Sequence, residues 1–223
     1  MNSPDPRGQT LWEMFLAWIR GHDHHADATI SSDGSFQNPL EWEPGVPVPL
    51  DVSHGPEFTD ALVRVESLRH TVRRVTGDSF DFTDYTLRVI SKHQSESRVR
   101  VRCLPNGPDQ WDKLLLRLHD EFAYAKEFTE LLNDNTGVFT IEDDPGGQPV
   151  QFTRLHELHG PWQVSACEHT ESPADPREPQ SAFKKYDYWD YLRTTEAGEE
   201  FLFVEIDGQT GWTQLWRGSA FRL

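Results

Sequence analysis

The stretch FDFTDYTLRV, Phe80 to Val89, returns 106 residues later as YDYWDYLRTT, Tyr186 to Thr195. Two phenylalanines of the first copy become tyrosines in the second. Three residues are identical, and the pairs are Asp81 and Asp187, Asp84 and Asp190, and Tyr85 and Tyr191. Aromatic residues favour half-buried strands. The stretch therefore predicts that the chain contains two copies of a small antiparallel β unit.

A second similarity precedes each copy, because Leu62–Leu68 and Phe152–Leu158 share their apolar spacing. The gap between the two parts grows from 12 to 28 residues, and the difference coincides with a Pro- and Glu-rich stretch. Loops tolerate such insertions. The alternative is that aromatic-rich strands arrive at similar patterns without duplication, since aromatic residues suit any pleated surface.

Between the two β units the sequence predicts one long amphipathic helix, from Asp109 to about Asn133. Apolar side chains recur there at helical spacing, at Trp111, Leu115, Leu118, Phe122, Ala125 and Leu132. Near the start of the chain, Thr10 and Glu13 have the spacing of a capping box, which predicts a short N-terminal helix. The expected fold class is α+β, with two antiparallel β-meander units separated by the long helix.

This reading divides the chain into four parts. Residues 1–60 hold the N-terminal helix and an irregular acidic segment, and residues 61–107 form the first β unit. Residues 108–136 form the connecting helix. Residues 137–223 form the second β unit, with an acidic, Pro-rich insertion at 168–182.

The net charge of −16 is unevenly distributed. Residues 61–119 carry +4, between flanks of −8 and −12. Such a negative molecule repels phosphate backbones, which disfavours nucleic acid and favours a basic protein partner; a second copy of the chain is another option. No stretch approaches the roughly 18 apolar residues of a membrane helix, and two cysteines are too few for a disulfide scaffold. We expect a soluble cytoplasmic protein.

A charged strand is the clearest functional signal. In RVRVRCL the side chains alternate, so that Arg98, Arg100 and Arg102 share the face opposite Val99 and Cys103. Arg88, on the neighbouring strand, points with them or away, depending on register. A row of like charges repels itself unless something negative lies opposite. That could be scattered intramolecular pairs, an acidic protein surface from the second β unit or a second subunit, or an anionic ligand such as a nucleotide.

Two further constellations could carry chemistry. GHDHHAD contains His22, His24 and His25, but neither HExxH nor a paired CxxC motif supports it, so we predict no metal and no cofactor. Asp81 and Asp187 could act as acid and base if folding brought them together in a cleft. Each is more simply read as a strand-edge residue.

The aromatic residues of the second copy are our candidate partner-binding surface: Tyr186, Tyr188, Trp189, Tyr191 and Trp212. The predicted function is that of a non-catalytic intracellular binding protein, of the inhibitor, immunity or adaptor type. Its acidic, aromatic-bearing surface would bind a basic protein. The alternative is an enzyme that binds an anion or nucleotide between the two β units.

Overall fold

The computed structural model of the chain describes residues 38–75, 78–105, 110–123, 125–134, 137–143, 147–155, 161–170 and 181–222. Within these ranges ten antiparallel strands form one sheet. The strands are β1 (Leu62–Val75), β2 (Asp78–Ile90), β3 (Glu96–Pro105), β4 (Trp111–Phe122), β5 (Val138–Glu142), β6 (Pro149–Arg154), β7 (Trp162–Thr170), β8 (Ser181–Thr195), β9 (Gly198–Asp207) and β10 (Thr213–Ala220). A helix, α1 (Lys126–Asp134), and a 3₁₀ turn (Pro56–Phe58) accompany them.

Eight of the described strands close into a ring, called here the closed sheet. Strands β1 to β4 form a first meander and β7 to β10 a second, each through consecutive antiparallel pairs. The two meanders meet edge to edge at both sides, through β1 with β7 and β4 with β10. A closed sheet of eight strands has an interior wide enough for packed side chains or for one small ligand.

The predicted α+β class is wrong, because the segment expected to be a long helix is mostly a strand. Residues 111–122 form β4, and α1 spans only nine residues. Leu114 and Leu116 are buried inside the closed sheet, and Leu115 is buried on its outer face. A strand that is buried on both faces has a continuous run of apolar residues. Such a run also places apolar residues at helical spacing, so periodicity does not distinguish the two. The β-rich character of the prediction is confirmed.

The first outer face of the closed sheet is covered by residues 38–60. Val48, Leu50 and Phe58 pack against apolar side chains of β1, β2 and β3. Two hydrogen bonds of the Tyr85 hydroxyl hold the start of this segment against β2. The hydroxyl donates to Asn38 Oδ1 at 2.5 Å and accepts from the Leu40 amide at 3.0 Å. The segment therefore completes a second apolar layer outside the strands.

The opposite outer face is covered by α1 and by the hairpin of β5 and β6. This hairpin extends the sheet from the end of β8, where Thr153 pairs with Leu192 and Arg154 with Tyr191. Its apolar side chains and Leu132 of α1 cover Trp189 and residues of β9. Both faces of the second meander are therefore buried along much of their length.

The repeated stretch occupies the second strand of each meander. Phe82 and Tyr188 meet inside the closed sheet, with ring centroids 5.9 Å apart. Tyr85 packs in the apolar layer between the closed sheet and residues 38–60. Tyr191 packs in the apolar layer between the closed sheet and the hairpin of β5 and β6. Their placement agrees with duplication, which stays a prediction. The similarity between Leu62–Leu68 and Phe152–Leu158 does not correspond to equivalent positions in the two meanders. Leu62–Leu68 lies on β1, whereas Phe152 lies on β6, outside the closed sheet.

Other predictions fall on residues beyond the described ranges. The N-terminal helix and His22, His24 and His25 are among them. In the described part of the chain, no group of three or more His, Cys, Asp or Glu side chains is placed to hold a metal ion. Within those same ranges, no helix has the length and apolar character needed to cross a membrane.

Candidate functional site

A network of five charged side chains lies buried inside the closed sheet. Arg69 comes from β1, Asp84 from β2, Arg100 and Arg102 from β3, and Glu205 from β9. None is more than 5% exposed. Charges this deeply buried are tolerated only when they are paired and hydrogen-bonded.

Two carboxylates bind the three guanidinium groups. Asp84 accepts from Arg102 Nε at 2.7 Å and Nη2 at 2.9 Å, and from Arg69 Nη2 at 2.6 Å. Glu205 accepts from Arg100 Nη1 at 2.9 Å, Arg69 Nη2 at 2.8 Å and Arg102 Nη2 at 2.8 Å. Because Glu205 belongs to the second meander and the other four to the first, the network joins the two.

Aromatic rings lie against each guanidinium of the network. The Arg102 guanidinium carbon is 4.0 Å from the ring centroid of Phe82 and 4.4 Å from that of Phe203. Arg100 stacks at 3.8 Å on Trp216, and Arg69 lies 4.9 Å from the ring of Tyr186. Ring faces attract cations and replace part of their lost water. The guanidinium groups are thus held by rings as well as by carboxylates.

The arginines keep both carboxylates ionised. Burial alone would raise the pKa of Glu205, but Arg100, Arg69 and Arg102 outweigh it and hold that pKa well below the usual 4.5. Burial also acts to raise the pKa of Asp84, but attraction by the three arginines, strongest from Arg102, outweighs it and lowers that pKa below its usual 3.8. At neutral pH neither carboxyl carries a proton to donate, so neither suits general acid catalysis.

A cavity of about 320 Å³ opens against this network. Arg69, Arg100 and Glu205 line its charged end, called here the floor, and Trp212, 44% exposed, lines its mouth. Thr86 contributes from the first meander. The cavity therefore lies between the two meanders of the closed sheet.

Ion pairs surround the mouth. Arg98 Nε donates to Glu66 at 2.9 Å, and Arg88 Nη2 donates to the same carboxylate at 3.2 Å. Lys184 Nζ donates to Glu168 at 2.9 Å. Arg88 points with Arg98 because the two residues are directly paired across β2 and β3.

The predicted row of arginines is thus divided between two environments. The side chains of Arg88 and Arg98 are 46% exposed beside Glu66. Arg100 and Arg102 point inward to Asp84 of the first meander and Glu205 of the second. The negative group opposite the row therefore comes in part from the second β unit of the same chain.

The structure does not bring Asp81 and Asp187 together. Both lie on the outer face of the closed sheet, and β1 and β7 separate their strands. Asp81 lies 3.9 Å from His70 Nε2. Burial raises the pKa of Asp187, although a hydrogen bond from Gln163 works against the shift. Neither aspartate lines the cavity.

The five candidate partner-binding aromatic residues have different environments. Tyr188, Trp189 and Tyr191 are buried, at 3%, 0% and 0% exposure, and are closed to a partner. Tyr186 is half-buried and lines the cavity, and Trp212 stands at its mouth. Binding of a basic protein stays a prediction, with Trp212 as its most accessible aromatic residue. Affinity capture at low and high salt tests it.

Sequence reasoning missed Arg69, Glu205 and Trp216. A signal for Glu205 was present, because in FLFVEID it shares a strand face with Phe201 and Phe203. A carboxylate on an otherwise aromatic face needs a buried cation as its partner. No comparable local signal marked which arginine that would be.

A larger groove of about 970 Å³ lies on the outer surface, between β4, β10 and the β5 end of the hairpin. In this groove, Arg217 donates to both Glu200 and Asp143. The groove lacks the buried charged floor of the cavity. We therefore place the candidate site inside the closed sheet.

Comparison with protein-family models, with curated proteins and with solved structures finds no match to this chain. Function is therefore inferred from the geometry of the site.

Proposed function

We propose that the protein is a non-catalytic binding protein that holds a small polar ligand in the cavity between its two meanders. The observation that carries the proposal is a cavity whose floor belongs to a buried network of paired charges. Ligand sites characteristically combine aromatic walls with a few precisely held polar groups, and they occur at the mouths of closed sheets.

Preorganisation supports binding at this floor. Arg100 is held by Glu205 on one side and by the ring of Trp216 on the other. Arg69 is held by Asp84, Glu205 and the ring of Tyr186. Groups that are already ordered lose little conformational entropy when a ligand arrives. The floor is therefore suited to recognition.

The protonation states support binding over catalysis. A general acid or base works best with a pKa near the working pH. The two carboxylates of the network have lowered pKa values and stay ionised. The remaining candidate pair, Asp81 and Asp187, faces outward and apart.

The test is to fill the cavity. Thr86→Trp places a large ring among the lining residues, and Thr140→Trp makes the same change at an exposed position of β5, as a matched control. A thermal-shift screen of small polar compounds, sorted by charge, should find compounds that raise the Tm of the wild type and of the control. A ligand at 100 times its Kd adds about 2.7 kcal/mol of stability.

Thr86→Trp should abolish these shifts while remaining folded, as judged by circular dichroism. If no compound stabilises the wild type, or if Thr86→Trp responds like the control, the cavity is not a binding site.

A further inference from the structure

The charge balance of the cavity indicates the kind of ligand it takes. Among the described residues, the cavity lining and the network against it hold five cations, which are Arg69, Arg98, Arg100, Arg102 and Lys184. Five carboxylates face them, from Glu66, Asp84, Glu168, Glu205 and Asp207. These charges balance over the whole site, but the buried network alone sets three arginines against two carboxylates, which leaves one surplus positive charge there, inside a chain whose net charge is −16.

The surplus lies in the network to which the floor residues belong. At the mouth, Glu66 is bound by Arg88 and Arg98, and Glu168 by Lys184. In the network, three arginines share two carboxylates. Burial lowers the pKa of Arg100, and repulsion from Arg69 and Arg102 adds to this despite the attraction of Glu205. Arg100 is thus the least compensated cation of the network.

Two donors at the floor have no partner. The Nε atoms of Arg69 and Arg100 are buried and make no hydrogen bond within the described structure. Both residues line the cavity. A buried donor without an acceptor costs free energy, so the carboxylates of the network leave these two guanidinium groups incompletely satisfied. In Arg102, by contrast, Nε donates to Asp84.

We propose, resting on the proposed function, that the ligand carries one negative group, a carboxylate or a phosphate, which binds at the Arg69 and Arg100 end of the cavity. There it neutralises the surplus charge and accepts hydrogen bonds from the guanidinium groups. Arginine suits both groups because its planar fork of donors matches their paired oxygens. Trp216, Tyr186 and Trp212 supply flat apolar walls for the rest of a planar ligand.

The first experiment varies ligand charge at constant shape. Benzoate, benzamide and benzamidine are planar and of similar size, and carry one negative, no and one positive charge. Titration calorimetry should show benzoate binding at least about tenfold more tightly than benzamide, and no binding of benzamidine. Phenyl phosphate, titrated in parallel, distinguishes a phosphate site from a carboxylate site by which anion binds more tightly.

The second experiment removes the surplus charge. Arg100→Gln leaves two arginines with two carboxylates, so the network stays balanced, and Glu205 keeps Arg69 and Arg102 as donors. Benzoate affinity should fall at least about tenfold, while benzamide affinity stays unchanged. Arg117→Gln is the matched control, because Arg117 binds Glu57 on the outer face.

Should Arg100→Gln fail to fold, salt dependence of the wild type serves instead. Raising KCl from about 50 to about 500 mM should weaken benzoate binding and leave benzamide binding unchanged, since salt opposes only the charged ligand.

The outcomes separate this inference from the function it rests on. Equal binding of all three charge variants, abolished by Thr86→Trp, would overturn the anion preference and leave the ligand-binding function standing. Tighter binding of benzamidine than of benzoate would also overturn the anion preference and leave the ligand-binding function standing, and it would indicate that the cavity prefers a cation. If the thermal-shift screen finds no small molecule that binds the cavity, both proposals fail.

Discussion

Arg102 and Arg100 lie two residues apart on one strand face, yet they have different parts in the network. All three nitrogens of Arg102 donate, to Asp84, Glu205 and the hydroxyl of Tyr188. Arg100 donates through Nη1 to Glu205, and its Nε has no partner. A fully satisfied buried cation stabilises the fold, whereas an incompletely satisfied one is available to a ligand. We therefore assign a structural role to Arg102 and a binding role to Arg100.

Asp84 is the residue whose loss should destabilise the network most. Asp84→Asn keeps the shape of the side chain but leaves three buried arginines with one carboxylate. Breaking a buried ion pair from one side typically costs about 3–5 kcal/mol. Urea denaturation should show a loss of this order in the free energy of unfolding.

Asp60→Asn is the control for that measurement. Asp60 pairs with Lys92 at 3.3 Å, but both side chains are at least 60% exposed. Exposed pairs contribute about 0–1 kcal/mol. If Asp84→Asn costs no more than Asp60→Asn, the buried network does not stabilise the closed sheet.

Strands whose two faces differ in chemistry were easier to predict than strands whose two faces are both apolar. The alternation in β3 correctly placed Val99 and Cys103 opposite Arg100 and Arg102, because period two distinguishes the faces of a strand. Strand β4 was wrongly predicted as helix because its three consecutive leucines are buried on alternating faces, which removes the alternation.

The seam between β4 and β10 depends on a glycine. An added Cβ at Gly218 would lie 1.8 Å from the carbonyl oxygen of Leu115, so Gly218→Ala forces the two strands apart. Overpacking in a filled interior costs about 1–3 kcal/mol, and a clash with backbone falls at or above the upper end. Thermal unfolding should show a large drop in Tm.

Gly137→Ala is the matched substitution, because no heavy atom lies within 4 Å of its added Cβ. It should change stability by no more than about 0.5 kcal/mol. Equal effects of the two alanines would show that the β4 and β10 seam does not need the close approach.

At the scale of the whole molecule, the site could not be predicted because it is assembled from distant parts of the chain. Arg69 and Glu205 are 136 residues apart in sequence, yet Arg69 Nη2 lies 2.8 Å from Glu205 Oε1. The sequence indicated a basic middle and an acidic second half, and the closed sheet places charges of both inside one network. It did not indicate the closure itself, which buries Tyr188 and brings Glu205 to the arginines. Local periodicity contains no information about which sheet edges meet.

Acid stability tests the network as a whole, because Asp84 and Glu205 have folded-state pKa values below 3.8 and 4.5, the ordinary values that apply to the unfolded chain. A group with a lowered folded pKa stabilises the fold fully above its unfolded pKa and loses that contribution as the pH falls through the folded value. Between about pH 7 and pH 5 the Tm should hold or rise, since protonation elsewhere relieves the repulsion of a net charge of −16. Below about pH 4 it should fall steeply.

The same titration of Asp84→Asn isolates the contribution of that carboxylate. The variant should start from a lower Tm at pH 7 and lose less of it on acidification, because one of the groups that must take up a proton is already neutral. The two curves should therefore converge at low pH. Calorimetry records both curves of Tm against pH from pH 7 to pH 2. Parallel curves would mean that Asp84 has the same pKa in the folded and the unfolded chain. The arginines would then not lower the pKa of Asp84.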